Sequence, residues 1–136
     1  MRKLGRLLVL LFAMLVAGTG VAFAIGGANT PPPKVVKIVN ASATCAEFCF
    51  RPAQLHVPLN TAVTWKNTSF SVHTVTRCTK AACGVSGGTG TDKGPKSPGT
   101  IAIGKSYTFV FHHKGTYVYY CQVHGYVVMH GTITVG

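Results

Sequence analysis

Three residues with metal-binding side chains stand close together near the end of this 136-residue chain. Cys121, His124 and Met129 are separated by two and then four residues, and a fourth candidate, His73, lies far upstream. A thiolate, two imidazoles and a thioether form the donor set that copper prefers when methionine is a long axial ligand. A redox copper site is therefore the first hypothesis, although the C-terminal segment alone would also fit zinc or a chance grouping of three residues.

His73 stands in the strand-like segment 71–76, which follows a polar turn and would place one imidazole at the end of a sheet. Taken alone, such a histidine is more often structural than metal-binding. Only the C-terminal segment makes His73 a ligand candidate. The remaining histidines have the sequence contexts of surface or structural residues: His56, His112, His113 and His130.

The chain has five cysteines, an odd number that leaves one thiol over if the others pair. In an oxidising compartment the close pairs Cys45 with Cys49 and Cys78 with Cys83 favour local disulfides, although four cysteines allow three connectivities. Each small loop would stabilise the fold by roughly 2 kcal/mol through chain entropy. Cys121 is the cysteine that we expect to remain without a disulfide, because it alone has a histidine and a methionine close by in sequence.

A second metal site at Cys45, Cys49 and His56 is the rival interpretation of the first cysteine pair. Sulfur and nitrogen ligands would suit zinc or Cu(I). The spacing lacks the paired two-residue gaps of common zinc modules, and an oxidising compartment favours disulfides. We therefore prefer the disulfide.

The N-terminus has the features of a secretory signal. Basic residues open the chain, an apolar run follows over residues 7–17, and Ala22-Phe23-Ala24 fits the small-residue pattern that signal peptidase cleaves. We predict a signal peptide over residues 1–24 and an exported, periplasmic or extracellular protein. The alternative is an uncleaved anchor on the outer side of the cytoplasmic membrane, because residues 7–25 approach the ~30 Å needed to span a bilayer.

Residues 25–34 are rich in Gly and Pro and form a predicted linker, since neither residue type supports a helix or a central strand at this density. Residues 35–136 remain, about 100 residues, which is close to the commonest domain size and enough for one core. We predict one folded domain after the leader and the linker.

The predicted mature chain is strongly basic. Without the three basic residues of the leader, ten Lys and Arg remain against Glu47 and Asp92, a net charge of about +8. Such a surface favours an acidic redox protein or anionic lipid head groups as partners, or it serves solubility alone. Nucleic acid is disfavoured as a partner, because the basic residues form no run.

Period-two alternation of apolar and polar side chains predicts antiparallel strands. Residues 55–57 and 62–67 alternate in this way around Pro58-Leu59-Asn60, which predicts a hairpin, and Trp65 is assigned to the core. No window outside the leader shows helical periodicity, so seven or eight short strands in one domain indicate a β-sandwich. Further strands are predicted over three later segments: 106–111, 116–121 and 131–135.

Residues 84–100 contain six glycines and two prolines and are predicted to form a loop that leaves the domain as a surface excursion. A phosphate-binding role is excluded, because the segment contains no Gly-Lys-Ser or Gly-Lys-Thr and opens no helix. An insertion of this kind should leave the metal ligands untouched.

Several segments carry a resemblance to a known family, and they follow the same order along nearly the whole domain: Phe50-Arg51-Pro52, Leu55-x-Val57, Val63-x-Trp65-x-Asn67, His73-Thr74-Val75-Thr76, Gly115-x-Tyr117-x-Tyr119-x-Cys121-x-x-His124 and Met129-His130-Gly131-Thr132-Ile133-x-Val135. These segments are similar to those of small blue copper proteins. The chain resembles a cupredoxin of the plastocyanin and azurin type, and the spacing of its C-terminal cysteine, histidine and methionine is that of plastocyanins.

The resemblance implies a Greek-key β-sandwich after the N-terminal signal or anchor helix, with one type 1 copper ion. His73, Cys121 and His124 would form the trigonal plane of ligands, and Met129, the only methionine after the leader, would be the long axial ligand. Asn67 lies where the family often has a polar residue that hydrogen-bonds near the ligand histidine. The two cysteine pairs and the basic surface are departures from the common pattern.

The resemblance also implies single-electron transfer between redox partners by Cu(I)/Cu(II) cycling. Catalysis is a poor fit, since a closed ligand set leaves substrate no open coordination position. The ring edge of His124 would face solvent, with residues 125–128 as a docking patch. We expect a monomer whose redox partners have acidic docking surfaces. Membrane association through the N-terminal segment is the alternative to a cleaved leader. The alternative function is an exported carrier that delivers copper to an oxidase, which a single mature methionine disfavours.

Overall fold

A computed structural model describes residues 30–90 and 93–136 of the chain. The predicted signal or anchor segment and most of the predicted linker lie outside these residues. Among the described residues, no helix has the length and apolar character needed to cross a membrane.

The described residues form two four-stranded sheets, in the strand orders β2-β1-β4-β6 and β3-β8-β7-β5. The chain crosses repeatedly between them, so the predicted all-β sandwich of seven to eight strands is confirmed, with eight. One four-residue helix, α1 (Lys80–Cys83), was not predicted, because its single turn is too short to show helical periodicity. The strands are β1 (Lys34–Ser42), β2 (Cys45–Arg51), β3 (Gln54–Val57), β4 (Ala62–Asn67), β5 (Thr76–Arg77), β6 (Ser106–Val110), β7 (Gly115–Tyr120) and β8 (His130–Val135).

The core lies between the two sheets and is built from alternate residues of each strand. In β4, Val63, Trp65 and Asn67 are buried, whereas the residues between them are more exposed. In β7, Tyr117 and Tyr119 point inward in the same way. This period-two pattern follows from the alternation of side chains across a pleated strand. The predicted core position of Trp65 is confirmed.

The predicted hairpin of residues 55–57 and 62–67 is wrong, because these segments belong to different sheets. β3 pairs with β8 in parallel, with Gln54 opposite Thr132. β4 instead lies between β1 and β6 in the other sheet. The turn between β3 and β4 therefore carries the chain across the sandwich, and Asn60 in this turn has a φ of 62° and donates its backbone N–H to Phe111 O.

The two predicted disulfides, Cys45 with Cys49 and Cys78 with Cys83, are present. Cys121 is the remaining thiol and is buried. The first disulfide lies within β2, and the second joins the end of β5 to α1. Since the sulfur atoms of Cys45 and Cys49 are bonded to each other, the rival metal site with His56 is not formed.

The glycine-rich loop is irregular as predicted, but its first part is not a surface excursion. Gly87 O accepts the backbone N–H of Val118, and Gly90 donates its N–H to Thr116 O, so this part covers the edge of β7. A Cβ atom on Gly90 would overlap the Tyr117 ring. Glycine is required here because only a residue without a side chain lets the loop approach the strand so closely.

Candidate metal centre

The fold brings His73 and the C-terminal segment to the same end of the sandwich. His73 follows β4 and forms a bridge with Ile101, with backbone hydrogen bonds of 3.3 Å and 2.6 Å in the two directions. Cys121 follows directly after β7, and Met129 directly precedes β8. The segment 121–129 is therefore a loop that joins two neighbouring antiparallel strands.

Backbone hydrogen bonds hold this loop in one compact shape. Cys121 donates its N–H to Met129 O at 3.0 Å, which closes the base of the loop. Gly125 donates to Cys121 O at 2.9 Å, and Met129 donates to Gly125 O at 3.0 Å. Gly125 has a φ of 82°, a left-handed conformation that glycine adopts without steric cost. The loop thereby places Cys121 and Met129 side by side and turns His124 towards His73.

Three ligand atoms converge at this end of the molecule. Sγ of Cys121 lies 3.7 Å from Nδ1 of His73 and 3.4 Å from Nδ1 of His124, and all three atoms lie within 4.8 Å of one another. Ligand atoms with bond lengths of about 2.0–2.3 Å around one trigonal ion lie about 3.5–4 Å apart. The observed separations fit one metal ion. Among the described residues, these three form the only such group of His, Cys, Asp or Glu.

Met129 completes the donor set. Its side chain is fully buried and belongs to the same core cluster as Cys121. Two imidazoles, a thiol and a thioether match the ligands of copper better than those of a hard cation such as Mg²⁺, which requires oxygen. The residues therefore fit copper, and the four side chains are positioned to bind one ion typical of a type 1 site.

The Cys121 sulfur is also held by a backbone hydrogen bond. Thr74, the residue after His73, donates its N–H to Sγ of Cys121 at 3.3 Å. In return, Gln122 donates its backbone N–H to Oγ1 of Thr74 at 2.8 Å. These two bonds join the His73 segment to the C-terminal loop. A donor aimed at sulfur stabilises the thiolate form, which is the form that binds metal.

Ser69 and Asn67 fix the orientation of the His73 ring. Oδ1 of Asn67 accepts the Ser69 hydroxyl at 2.8 Å, and Oγ of Ser69 lies 2.7 Å from Nε2 of His73. Because the hydroxyl proton is directed to Asn67, Ser69 Oγ accepts the proton of Nε2. The tautomer with Nδ1 unprotonated is thereby selected, and Nδ1 is the atom that faces Cys121.

Asn67 itself is anchored to the backbone. Its side-chain nitrogen donates to Ser71 O at 2.8 Å and to Ile101 O at 2.9 Å. Asn67 is thus a residue that braces the histidine segment, as the resemblance led us to expect. Ser69 was missed, although its position two residues after Asn67 in a polar turn could have pointed to it.

The protonation state of His73 suits a ligand. Burial, and then the neighbouring His124, lower the pKa of His73 from 6.5 to about 4. Both effects disfavour a charged imidazolium in a site that holds a second histidine. The imidazole is therefore neutral near pH 7, with its Nδ1 lone pair available.

Phe48 covers both histidine rings, a role that sequence reasoning missed. Its ring centroid lies 4.9 Å from that of His73 and 4.5 Å from that of His124. Phe48 stands in the short loop of β2 that the disulfide between Cys45 and Cys49 closes. The bracketing cysteines are the sequence feature that could have drawn attention to it. Its ring shields the imidazoles from water on this side.

His124 differs from the other three residues because it is only partly buried. Exposed apolar side chains stand near the two histidines in sequence, including Val127 at 90% exposure. In the predicted patch over residues 125–128, Val127 and Val128 are exposed, whereas Gly125 and Tyr126 are partly buried. We call the exposed apolar residues at this end the apolar rim: Phe70, Val72, Val123, Val127 and Val128.

The model of the family "copper binding proteins, plastocyanin/azurin family" matches residues 37–136. No curated protein matches the chain.

Solved structures of two cupredoxin types are similar to the chain. A purple cupredoxin from Nitrosopumilus maritimus is 24% identical, with a TM-score of 0.56, and the match covers 76% of this chain and 99% of that one. An amicyanin variant in its reduced Cu(I) form at pH 4 is 26% identical, with a TM-score of 0.54, and the match covers 79% of this chain and 85% of that one.

Proposed function

Because this chain belongs to the plastocyanin/azurin family of copper-binding proteins, we propose that it carries single electrons between redox partners. One copper ion would be held by His73, Cys121, His124 and Met129. The observation that carries the proposal is the convergence of three ligand atoms within 4.8 Å at one end of a rigid sandwich. Proteins of this family are electron carriers rather than typical enzymes.

Copper bound by thiolate, imidazole and thioether ligands supplies a one-electron Cu(I)/Cu(II) couple. The protein residues keep the site in one shape. His73 is held by Ser69 through Nε2, and the Cys121 sulfur is held by the Thr74 amide. Ligands that neighbouring residues hold in place need little rearrangement when the charge of the metal changes, which lowers the barrier to electron exchange.

Burial favours retention of the metal over its delivery to another protein. His73, Cys121 and Met129 are fully buried, and Phe48 packs on both histidine rings. A carrier that hands copper to an oxidase needs ligands that a partner can reach. The site therefore supports the electron carrier over the copper carrier.

The partly exposed His124 offers the shortest route between the ligand set and a partner protein. The apolar rim beside it is the proposed contact surface, since exposed apolar residues near a functional group mark interaction sites. The basic character of the predicted mature chain favours acidic partners.

We further propose that the protein is exported as a monomer and that any membrane association uses the N-terminal segment.

Electronic spectroscopy and voltammetry of the copper-loaded protein test the proposal. We expect intense visible absorption from thiolate-to-copper charge transfer and a reversible one-electron couple. Cys121→Ala should abolish the colour. A colourless protein that binds and releases copper without a reversible couple would overturn the electron-carrier function.

A further inference from the structure

A basic cavity of about 410 Å³ opens beside the metal centre. We define it by the five residues that carry its chemistry: Thr76, Arg77, Lys93, Lys96 and Gln122. These side chains present three cations together with hydroxyl and amide groups. Among the residues that the structure describes, no carboxylate lines the cavity.

The backbone holds the two sides of this cavity together. Lys96 lies opposite Thr76 in an antiparallel bridge, and residues opposite each other place their side chains on the same face of a sheet. The backbone N–H of Arg77 donates to Pro95 O at 2.7 Å, and that of Ser97 donates to Val75 O at 2.8 Å. The end of the glycine-rich loop is thus an extra edge segment along β5. The position of Lys96 is therefore set by strand-like pairing with Thr76.

The cavity is joined to the metal centre by a short series of contacts. Oγ1 of Thr76 donates to Oε1 of Gln122 at 3.2 Å, which leaves the amide nitrogen of Gln122 as a further donor. Gln122 is covalently bonded to Cys121, and its backbone N–H donates to Thr74. Thr74 in turn donates to the Cys121 sulfur. A group bound in the cavity would therefore lie one residue from the proposed copper ligand.

The cations of the cavity have different tasks. Arg77 donates to the carbonyl oxygens of Gly87 at 3.1 Å and Gly90 at 2.8 Å, and its guanidinium lies 5.3 Å from the centre of the Tyr117 ring. It holds the glycine-rich loop. Lys93 and Lys96 are exposed, and within residues 30–90 and 93–136 neither ammonium group forms an ion pair. These two lysines supply the charge that faces outward.

We propose that the basic cavity docks a cluster of carboxylate side chains on the acidic redox partner. The inference rests on the proposed function, which it extends by naming a second contact surface in addition to the apolar rim. Two ammonium groups beside the amide nitrogen of Gln122 suit two or more carboxylates, which accept hydrogen bonds from several donors at once. Charge complementarity of this kind steers association and fixes the register of the two proteins.

Binding of an acidic probe to the Cu(I) protein tests the proposal. The ¹⁵N-labelled protein is titrated with acetylated hexaglutamate and, separately, with sodium sulfate at equal ionic strength, while amide shifts are recorded by NMR. We expect the hexaglutamate shifts to centre on Thr76, Lys96 and Gln122. The double variant Lys93→Gln/Lys96→Gln should bind hexaglutamate about tenfold more weakly, since each exposed ion pair contributes up to about 1 kcal/mol.

A matched control removes the same charge from the other end of the sandwich. Lys34 begins β1 opposite Val63, and Lys114 directly precedes β7, so both stand at the strand ends remote from Asn67 and Cys121. Lys34→Gln/Lys114→Gln should weaken binding less than about twofold.

The docking proposal would be overturned if hexaglutamate binding weakened equally in the two double variants, or if the amide shifts centred away from the cavity. It would also be overturned if sulfate produced the same shifts and displaced the peptide at equal concentration. Equal weakening would mean diffuse attraction by net charge, and displacement by sulfate would mean a small-anion site. Failure of the proposed function would appear separately, as the absence of a reversible one-electron couple in voltammetry of the wild-type protein. The NMR titration of the Cu(I) protein does not depend on that couple, so it could still be interpreted.

Discussion

The Ser69 hydroxyl lies 2.7 Å from Nε2 of His73, on the side of the ring that faces away from Cys121. A short polar side chain two residues after β4 thus determines which nitrogen of His73 carries the proton. The hydrogen bond is buried, with Ser69 only 3% exposed. The orientation of the His73 ring is therefore set by a neighbouring residue of the protein.

Ser69→Ala should weaken both stability and copper affinity. The change leaves Nε2 of His73 buried without its acceptor, which costs about 1–2 kcal/mol in the free energy of unfolding. Loss of a hydrogen bond behind a ligand histidine lowers metal affinity about tenfold. Urea unfolding of the metal-free protein and a chelator competition measure the two effects. Ser71→Ala is the matched control, because within the described residues its hydroxyl makes only a 3.5 Å contact, with Val72 O at the surface. Equal losses in the two variants would contradict the role of Ser69.

Phe48→Ala should make bound copper easier to remove. The change uncovers one side of the His73 and His124 rings, so water and chelators reach the ligands. We expect chelator-driven loss of copper to accelerate about tenfold, with a stability loss of about 1–3 kcal/mol for a partly buried ring. Stopped-flow absorbance measures the rate. Phe70→Ala is the control and should leave the rate of copper loss nearly unchanged. The Phe70 ring is 71% exposed, and Phe48 is the only aromatic residue that it contacts among the described residues.

Gly125→Ala should strain the C-terminal loop without a steric clash. An added Cβ meets nothing within 4 Å, but the φ of 82° disfavours any residue with a side chain. We expect a loss of about 1 kcal/mol in stability and an altered copper spectrum, because the loop that carries Cys121 and His124 must relax. Gly99→Ala, also in open space but without a positive φ, should change neither. An unaltered spectrum in Gly125→Ala would show that the loop tolerates a different turn.

Cys45→Ser/Cys49→Ser should destabilise the fold by about 2 kcal/mol in the chain-entropy model of disulfides. The loop that this disulfide closes contains Phe48, so its opening should also raise the rate of copper loss. The matched variant Cys78→Ser/Cys83→Ser opens a loop of similar length, and the apolar cluster around this disulfide includes Tyr126 but neither His73 nor His124. It should lose similar stability, whereas its copper loss should stay slow. Faster copper loss in both variants would mean that global stability, and not Phe48, governs retention.

The C-terminal donor residues could be predicted because they lie close together in sequence. Cys121, His124 and Met129 lie within nine residues, so their spacing marked a candidate ligand set, and the resemblance of the flanking segments favoured copper over zinc or a chance grouping. The disulfides were equally local, as Cys45 with Cys49 and Cys78 with Cys83 are separated by four and five positions. Features that arise only from tertiary contacts could not be found in this way. Phe48 belongs to β2, in the opposite sheet from the strands β7 and β8 that flank the loop of His124. The cysteines on either side of Phe48 mark its position, but they do not indicate that its ring contacts two imidazoles.

The partition of strands between the sheets was the main failure of sequence reasoning. Alternation in residues 55–57 and 62–67 correctly predicted two strands, but alternation is the same whether consecutive strands pair or cross the sandwich. The pairing of β3 with β8 depends on a segment from the far end of the domain. The loop contacts of Gly87 and Gly90 with β7 were hidden for the same reason, since glycine content predicts an irregular backbone but not the strand that it covers.

The parallel pairing of β3 with β8 also sets the order in which the metal centre can form. This pairing joins residues 54–57 to residues 132–135, so most of the domain must be enclosed before it closes. Contacts between such distant segments form slowly during folding, because the loop-closure entropy is lost before they give stability. The loop of Cys121, His124 and Met129 takes its closed shape only when β7 and β8 have paired. Copper uptake is therefore expected to follow folding, as the last step of maturation.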